Sequence, residues 1–113
     1  MEKSNYLPIG HKVGGHYEIV KVLGEDDFEI LYLAKDLHLL EKPFVLKELF
    51  LKAYSSRENV NVYTLAKSKS LFEETKQEVI AEISVLQKEA SPRVAQVYGY
   101  FEENNTVYYC RVS

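Results

Sequence analysis

A change of hydrophobic period constrains the fold of this 113-residue chain more than any other feature. From residue 17 to residue 49 apolar side chains alternate with polar ones, which is typical of half-buried β-strands. Between residues 71 and 89 the period lengthens to that of one helical face, formed by Phe72, Val79, Ile83 and Leu86. Alternation then returns. This order predicts an α+β domain in which one long helix packs on a five-stranded antiparallel sheet, in the sequence β-β-β-α-β-β.

We predict strands at residues 17–23, 29–36, 42–49, 94–101 and 106–112. On the first strand, Tyr17, Ile19 and Leu23 are expected to share one buried face. Ser70 is predicted to cap the helix, with Glu73 completing a capping box. The last two strands are predicted to form a hairpin over Asn104 and Asn105, since asparagine tolerates positive φ.

Two segments lack either period. Residues 1–12 are expected to be a flexible lead-in, and the polar residues 50–70 an insertion before the helix, interpreted as a linker. The whole chain, 1–113, is expected to form a single domain, because domains of about 100–150 residues are the commonest.

Charge and cysteine content exclude several classes of protein. The 14 basic and 17 acidic residues give a net charge of −3, which argues against a nucleic-acid partner. Neither a membrane span nor an export signal is evident, and the single Cys110 fits a reducing, cytoplasmic location. His11, His16 and His38 lack the spacing of metal ligands, so no metal site is expected.

The motifs at the junctions of these elements occur in a particular order. Leu23-Gly24 opens a hairpin, Phe44-Val45-Leu46-Lys47-Glu48 forms the third strand, Glu82 lies in the helix, and residues 100–109 form the last hairpin. Together they resemble the N-terminal lobe of a bacterial eukaryotic-like Ser/Thr protein kinase in a degenerate, pseudokinase-like form. The resemblance extends over nearly the whole chain.

The resemblance implies an ATP site. Its positions here are Leu23, Gly24, Leu31, Val45, Lys47 and Glu82. In a working kinase the lysine holds phosphates and the helix carboxylate fixes the lysine. We therefore expect Lys47 and Glu82 to lie within reach of an ion pair.

Several positions depart from the family pattern. The glycine-rich loop G-x-G-x-x-G matches Gly24, Asp26 and Glu29, so two glycines are replaced by carboxylates. These repel phosphates and block close backbone approach. Val45 narrows the adenine slot, and Arg111 stands where the family has a methionine-like gatekeeper. We expect weak ATP binding or none, and hence no bound cofactor.

No H-R-D catalytic loop or D-F-G metal motif occurs in the sequence, so this chain alone is not expected to be an enzyme. The leading hypothesis is a non-catalytic binding or regulatory module that acts through protein–protein interaction. One alternative is the N-terminal ATP-binding fragment of a longer Ser/Thr kinase or pseudokinase, and another is a small interaction domain that binds no nucleotide. An uncovered apolar patch at Leu23, Leu31, Val45 and Val112 predicts a homodimer or capture of another protein.

Overall fold

The computed structural model describes residues 5–89 and 99–110, apart from the side chains of Lys42, Glu89 and Cys110. Within these residues the chain forms two sheets and one long helix. The strands are β1 (Lys12–Val13), β2 (Tyr17–Glu25), β3 (Glu29–Asp36), β4 (Lys42–Leu49), β5 (Ser55–Glu58), β6 (Asn61–Thr64), β7 (Gly99–Glu103) and β8 (Thr106–Cys110). The helix α1 spans Lys69–Glu89. This is the predicted α+β class.

The main sheet is antiparallel and has six strands in the order β1-β2-β3-β4-β8-β7, so the prediction of five was wrong. The additional strand, β1, comes from the predicted flexible lead-in. Positive φ angles of 61° at Gly14 and 80° at Gly15 turn the chain back, so that β1 pairs with the start of β2. Leu7 and Val13 are buried at 2% and 0% exposure. Leu7 of the lead-in and Val13 just after it therefore pack in the core, although the segment is mostly polar.

Two irregularities in β2 overturn the predicted face of that strand. The register against β3 shifts between Ile19 and Lys21 and again between Val22 and Gly24. Each shift inserts a residue, which reverses the alternation of side chains along the strand. As a result Ile19 is buried but Leu23 is 46% exposed, although strict alternation places them on one face.

The helix begins at Lys69, after a short 3₁₀ turn at Ala66–Ser68. Ser70 therefore lies inside α1, and its predicted capping role is wrong. The apolar face is confirmed, since Phe72 and Ile83 are buried and Val79 and Leu86 are half-buried in the core. This face packs against β7 and β8. Among the described residues no helix has the length and apolar character needed to cross a membrane.

The segment between β4 and α1 contains a hairpin, β5–β6, where a linker was predicted. Arg57 and Val62 of this hairpin are 3% and 1% exposed. The Val62 N–H donates to the Asn104 carbonyl at 2.8 Å, and the Asn105 side chain donates to the Val62 carbonyl at 2.8 Å. The sequence alone does not reveal this hairpin, because few of its residues are buried and one of them, Arg57, is charged. No alternation of apolar and polar residues is therefore visible in the sequence.

The last hairpin confirms the predicted turn, with φ of 54° at Asn104 and 64° at Asn105. Among the described residues its strands are β7 and β8, and β7 extends two residues beyond the predicted end at residue 101. Residues 94–98, 111 and 112, which were assigned to these strands, lie outside the described residues.

Candidate functional site

Lys47 lies in the middle of the main sheet and faces α1. Its cross-strand neighbours are Leu31 on β3 and Tyr109 on β8. Residues directly opposite in an antiparallel pair share a face, so the three side chains lie together. The Lys47 side chain is 16% exposed. The ammonium group is thus held near the surface by strand pairing on both sides.

A pocket of about 260 Å³ opens beside Lys47, between the β2–β3 turn, β4, β8 and α1. Its charged lining residues are Asp26, Glu29, Glu82 and Lys47. The structure thus brings two of the six predicted ATP-site residues, Lys47 and Glu82, into one pocket. Three carboxylates against one ammonium make this pocket unfavourable for an anion.

The side chain of Lys47 forms an ion pair with Glu29, with 3.4 Å between Nζ and Oε1. The Tyr109 hydroxyl donates a hydrogen bond to the other oxygen of the same carboxylate. Glu29 is itself only 18% exposed in its side chain. A residue at the third glycine position of the resembled loop is therefore an ion-pair partner of Lys47. An ion pair between Lys47 and Glu82 stays a prediction.

Asp26, at the second glycine position, folds the β2–β3 connection into a tight turn. Its Oδ1 accepts hydrogen bonds from the backbone N–H groups of Phe28 and Glu29, both at 2.8 Å. Backbone N–H groups of a glycine-rich loop are the donors that cradle phosphate oxygens. Here a carboxylate of the chain accepts them instead.

The same turn is anchored to the segment after β4. Phe50 N–H donates to the Phe28 carbonyl at 2.9 Å, and Lys52 N–H donates to the Asp27 carbonyl at 3.0 Å. This turn at Asp26 and Asp27, which we call the acidic turn, therefore has a defined position beside Lys47.

The other predicted ATP-site residues do not line this pocket, although Leu31 lies directly opposite Lys47 and Val45 shares its face of the sheet. Gly24 pairs with Leu31, and Val45 pairs with Leu33 on the next strand. Leu31 and Val45 are half-buried, whereas Leu23 is displaced outward by the irregularity in β2. Arg111, the predicted gatekeeper, lies outside the described residues.

The opposite face of β4 carries a buried charged network that the sequence did not reveal. Glu48, at 0% exposure, forms an ion pair with Arg57 of β5. The hydroxyls of Tyr32 and Tyr108 both donate to the Glu48 carboxylate. Burial and the Glu48 charge both raise the pKa of the two phenols above the usual value of 10. Both tyrosines are therefore held neutral as donors.

Arg57 connects this network to the periphery of the fold. Its Nε donates to the Asn5 carbonyl at 2.9 Å, and its Nη1 donates to the Val60 carbonyl at 2.8 Å. Burial acts to lower the pKa of Arg57, but the charge of Glu48, the hydrogen bond that it accepts from the guanidinium and the two tyrosines together outweigh burial, and the pKa is raised. One guanidinium thus ties the lead-in and the β5–β6 hairpin to the sheet. The sequence carries no signal for this role, because Arg57 and its neighbours Ser56 and Glu58 are all polar.

A second cluster joins residues that the sequence separates. His16 Nδ1 lies 2.8 Å from Asp36 Oδ1, and the His16 and His38 rings stack with centroids 4.2 Å apart. Burial acts to raise the pKa of Asp36, but hydrogen bonds from His16 and the His38 backbone outweigh it, and the pKa is lowered. His16 and His38 both lie in turns, and strand pairing brings their rings together although their spacing in the sequence does not indicate it. The sequence gives no signal for this cluster, because strand pairing alone brings Tyr17 opposite Asp36.

Comparison with known proteins gives a structural neighbour but no sequence relative. No protein-family model and no curated protein matches the chain. The chain is similar to the solved structure of the apo form of PpkA-294, a bacterial Ser/Thr kinase fragment, with a TM-score of 0.79 and 25% sequence identity. The match covers 96% of this chain and 39% of that one. The fold is therefore kinase-like, and the chain spans about two-fifths of the length of this neighbour.

Proposed function

We propose that the chain is a non-catalytic, kinase N-lobe-like module that acts by binding another protein chain, and that its own carboxylates close the phosphate position. The support is the pairing of Glu29 with Lys47. In the resembled kinase lobe, the lysine at the position of Lys47 holds phosphates. Here that ammonium already has an anionic partner 3.4 Å away.

Asp26 contributes independently to the same proposal. Its carboxylate accepts hydrogen bonds from two backbone N–H groups of the turn. A phosphate entering the loop therefore has to displace Asp26 from these N–H groups and Glu29 from the Lys47 ammonium. Each additional like-charge contact at about 4 Å costs roughly 1–4 kcal/mol, depending on the local dielectric. With Glu82 also lining the pocket, the site repels the ligand that the fold otherwise suits.

Phosphoryl transfer needs groups beyond a lysine and a loop. A catalytic aspartate positions the acceptor hydroxyl, and further residues hold magnesium. The sequence has neither the H-R-D nor the D-F-G motif. We therefore propose that this chain does not transfer phosphate.

Calorimetric titration with Mg·ATP tests the closed site. We expect little or no binding by the wild type. The variant Asp26→Gly with Glu29→Gly, which restores the family glycines, is expected to bind, and adding Lys47→Ala is expected to abolish that binding. Micromolar binding by the wild type contradicts the proposal.

The second candidate function is an ATP-binding N-terminal fragment of a longer kinase or pseudokinase. The observation that favours it is the partial coverage, since the chain corresponds to 39% of its structural neighbour. Wild-type nucleotide binding favours this candidate, as does an H-R-D motif in the downstream reading frame. Absence of both favours the stand-alone module.

The binding surface proposed for the module lies around the acidic turn. Leu23 and Phe28 flank this turn and are 46% and 53% exposed, and Leu31 and Val45 are half-buried. We propose self-association through this surface. Sedimentation velocity over a concentration series is expected to show a dimer that Leu23→Ser with Phe28→Ser weakens. A wild type that stays monomeric at every concentration contradicts the proposed self-association.

A further inference from the structure

His16, Asp36 and His38 offer three potential metal ligands at one corner of the main sheet. One donor atom from each side chain can be chosen so that all three lie within 4.8 Å of one another. The backbones are held together by the pairing of Tyr17 with Asp36 and by a 2.8 Å hydrogen bond from Leu37 N–H to the His16 carbonyl. The cluster is thus built by strand pairing and does not depend on loose surface side chains.

Asp36 is the fixed member of this cluster. The residue is 7% exposed, and its Oδ1 accepts the His38 backbone N–H at 2.9 Å while lying 2.8 Å from His16 Nδ1. A carboxylate hydrogen-bonded to an imidazole orients the ring. His16 is accordingly held in place before any ion arrives.

The donor types select a class of ion. Two imidazoles and one carboxylate suit zinc and neighbouring divalent transition metals, whereas calcium and magnesium favour oxygen ligands alone. We propose that the chain binds one such ion, with zinc as the best candidate, through one ring nitrogen each from His16 and His38 and an Asp36 oxygen. A tetrahedral ion then keeps one position for water.

Binding requires a small local rearrangement. Ligand bonds of about 2.0–2.2 Å place tetrahedral donor atoms about 3.4 Å apart, so donor atoms up to 4.8 Å apart must close by up to about 1.4 Å. The His38 ring is parallel to that of His16 and has to turn so that its lone pair points at the ion. His38 is exposed on the β3–β4 turn, so turning the ring gives up its stacking on His16. The ion then clamps the start of β2 to this turn, a role separate from that of the Lys47 pocket.

Titration of the untagged chain with Zn²⁺ and Co²⁺ tests the proposal. The protein carries Cys110→Ser so that the thiol does not bind the ion. We expect one ion per chain by calorimetry, a visible Co²⁺ spectrum of four-coordinate type, and a rise in melting temperature with Zn²⁺. His38→Ala removes an exposed ligand without disturbing the core, and is expected to weaken binding at least about tenfold.

His11→Ala is the matched control, because His11 lies outside the cluster, and it should leave the affinity unchanged. His16→Ala is expected to weaken binding as His38→Ala does. Failure of the Cys110→Ser protein to bind either ion overturns the proposal, and so does binding that His38→Ala and His16→Ala both leave intact.

Discussion

Lys47 and Glu48 are neighbours on β4, yet they lie in opposite environments. Lys47 borders a pocket, and its ion pair with Glu29 is partly accessible, with side-chain exposures of 16% and 18%. Glu48 is completely buried, and its ion pair with Arg57 has side-chain exposures of 0% and 1%. Successive residues of a strand point to opposite faces, so one strand carries a surface site on one face and a structural network on the other.

This difference in exposure indicates which of the two ion pairs a ligand can disrupt. A buried pair needs hydrogen bonds for every polar atom, and among the described residues no buried side-chain nitrogen or oxygen is left without a partner. Removing one member leaves an uncompensated charge in the core. The Lys47 pair borders solvent, so water can replace either member and an anion can replace the Glu29 carboxylate. We therefore assign Glu48 and Arg57 to the fold, and Lys47 and Glu29 to the candidate site at the pocket.

The largest effect is expected from breaking the buried pair. Arg57→Met leaves the Glu48 carboxylate without its cation and is expected to lower the free energy of unfolding by about 3–5 kcal/mol. The measurement is urea-induced unfolding followed by circular dichroism. The double variant Glu48→Leu with Arg57→Met removes both charges and should recover part of the loss. A single variant as stable as the wild type contradicts the assignment of this pair to the fold.

The tyrosines of the network predict a loss of stability at alkaline pH. The pKa values of Tyr32 and Tyr108 are raised in the folded state above the unfolded value of 10.0. Their contribution is therefore fully present below about pH 10 and is lost as the pH rises from there toward the folded pKa. Each phenol is expected to remove about 1.4 kcal/mol per pH unit above pH 10.

Unfolding in urea between pH 9 and pH 11 measures this slope. Tyr108→Phe is expected to reduce it by about one phenol's share, whereas Tyr63→Phe, at an exposed site on β6, serves as the control for loss of a hydroxyl. An unchanged slope in Tyr108→Phe means that this phenol is not held neutral by the network.

A smaller effect on stability is expected at the Lys47 pocket. Glu29→Gln keeps the shape of the side chain and a possible acceptor for Tyr109, so the free energy of unfolding should change by less than about 1 kcal/mol. A loss similar to that of Arg57→Met shows that the two faces do not differ in the way described.

The smallest effect is expected from an ion pair at the surface. Lys76 Nζ lies 2.6 Å from Glu102 Oε1, and the Glu102 side chain is 55% exposed. Glu102→Gln is expected to shift the free energy of unfolding by 0–1 kcal/mol, and less at high salt. Thermal unfolding at low and high salt checks it. A salt-independent loss of several kcal/mol is inconsistent with an exposed pair.

Periodicity was enough to predict most of the fold. The spans of β3 and β4 agree with the predicted residues 29–36 and 42–49, and the helical face of Phe72 and Ile83 is buried as expected. What failed has a common cause. β1 and the β5–β6 hairpin are short and mostly polar, and the β2 irregularities insert single residues into an apolar strand, so tertiary pairing determines all three more than local pattern does.

The site was predictable only in part. The resemblance led to Lys47 and to the carboxylates at Asp26 and Glu29, and repulsion of phosphate was expected from them. That Glu29 pairs with Lys47 and that Asp26 caps its own turn are geometric facts that spacing does not contain. Arg57 and the His16–Asp36 contact were missed because their partners are distant in sequence.

Matched substitutions on the two faces of the sheet test the central claim most directly. Urea unfolding of Glu29→Gln and Glu48→Gln, each with and without pyrophosphate, gives stability and anion binding in one experiment, because a ligand of the native state raises the free energy of unfolding. We predict that Glu29→Gln is nearly as stable as the wild type and is stabilised by pyrophosphate more than the wild type is. We predict that Glu48→Gln is less stable by about 3–5 kcal/mol and gains nothing from pyrophosphate. Equal losses in the two variants, or equal stabilisation of Glu29→Gln and the wild type by pyrophosphate, would contradict the account.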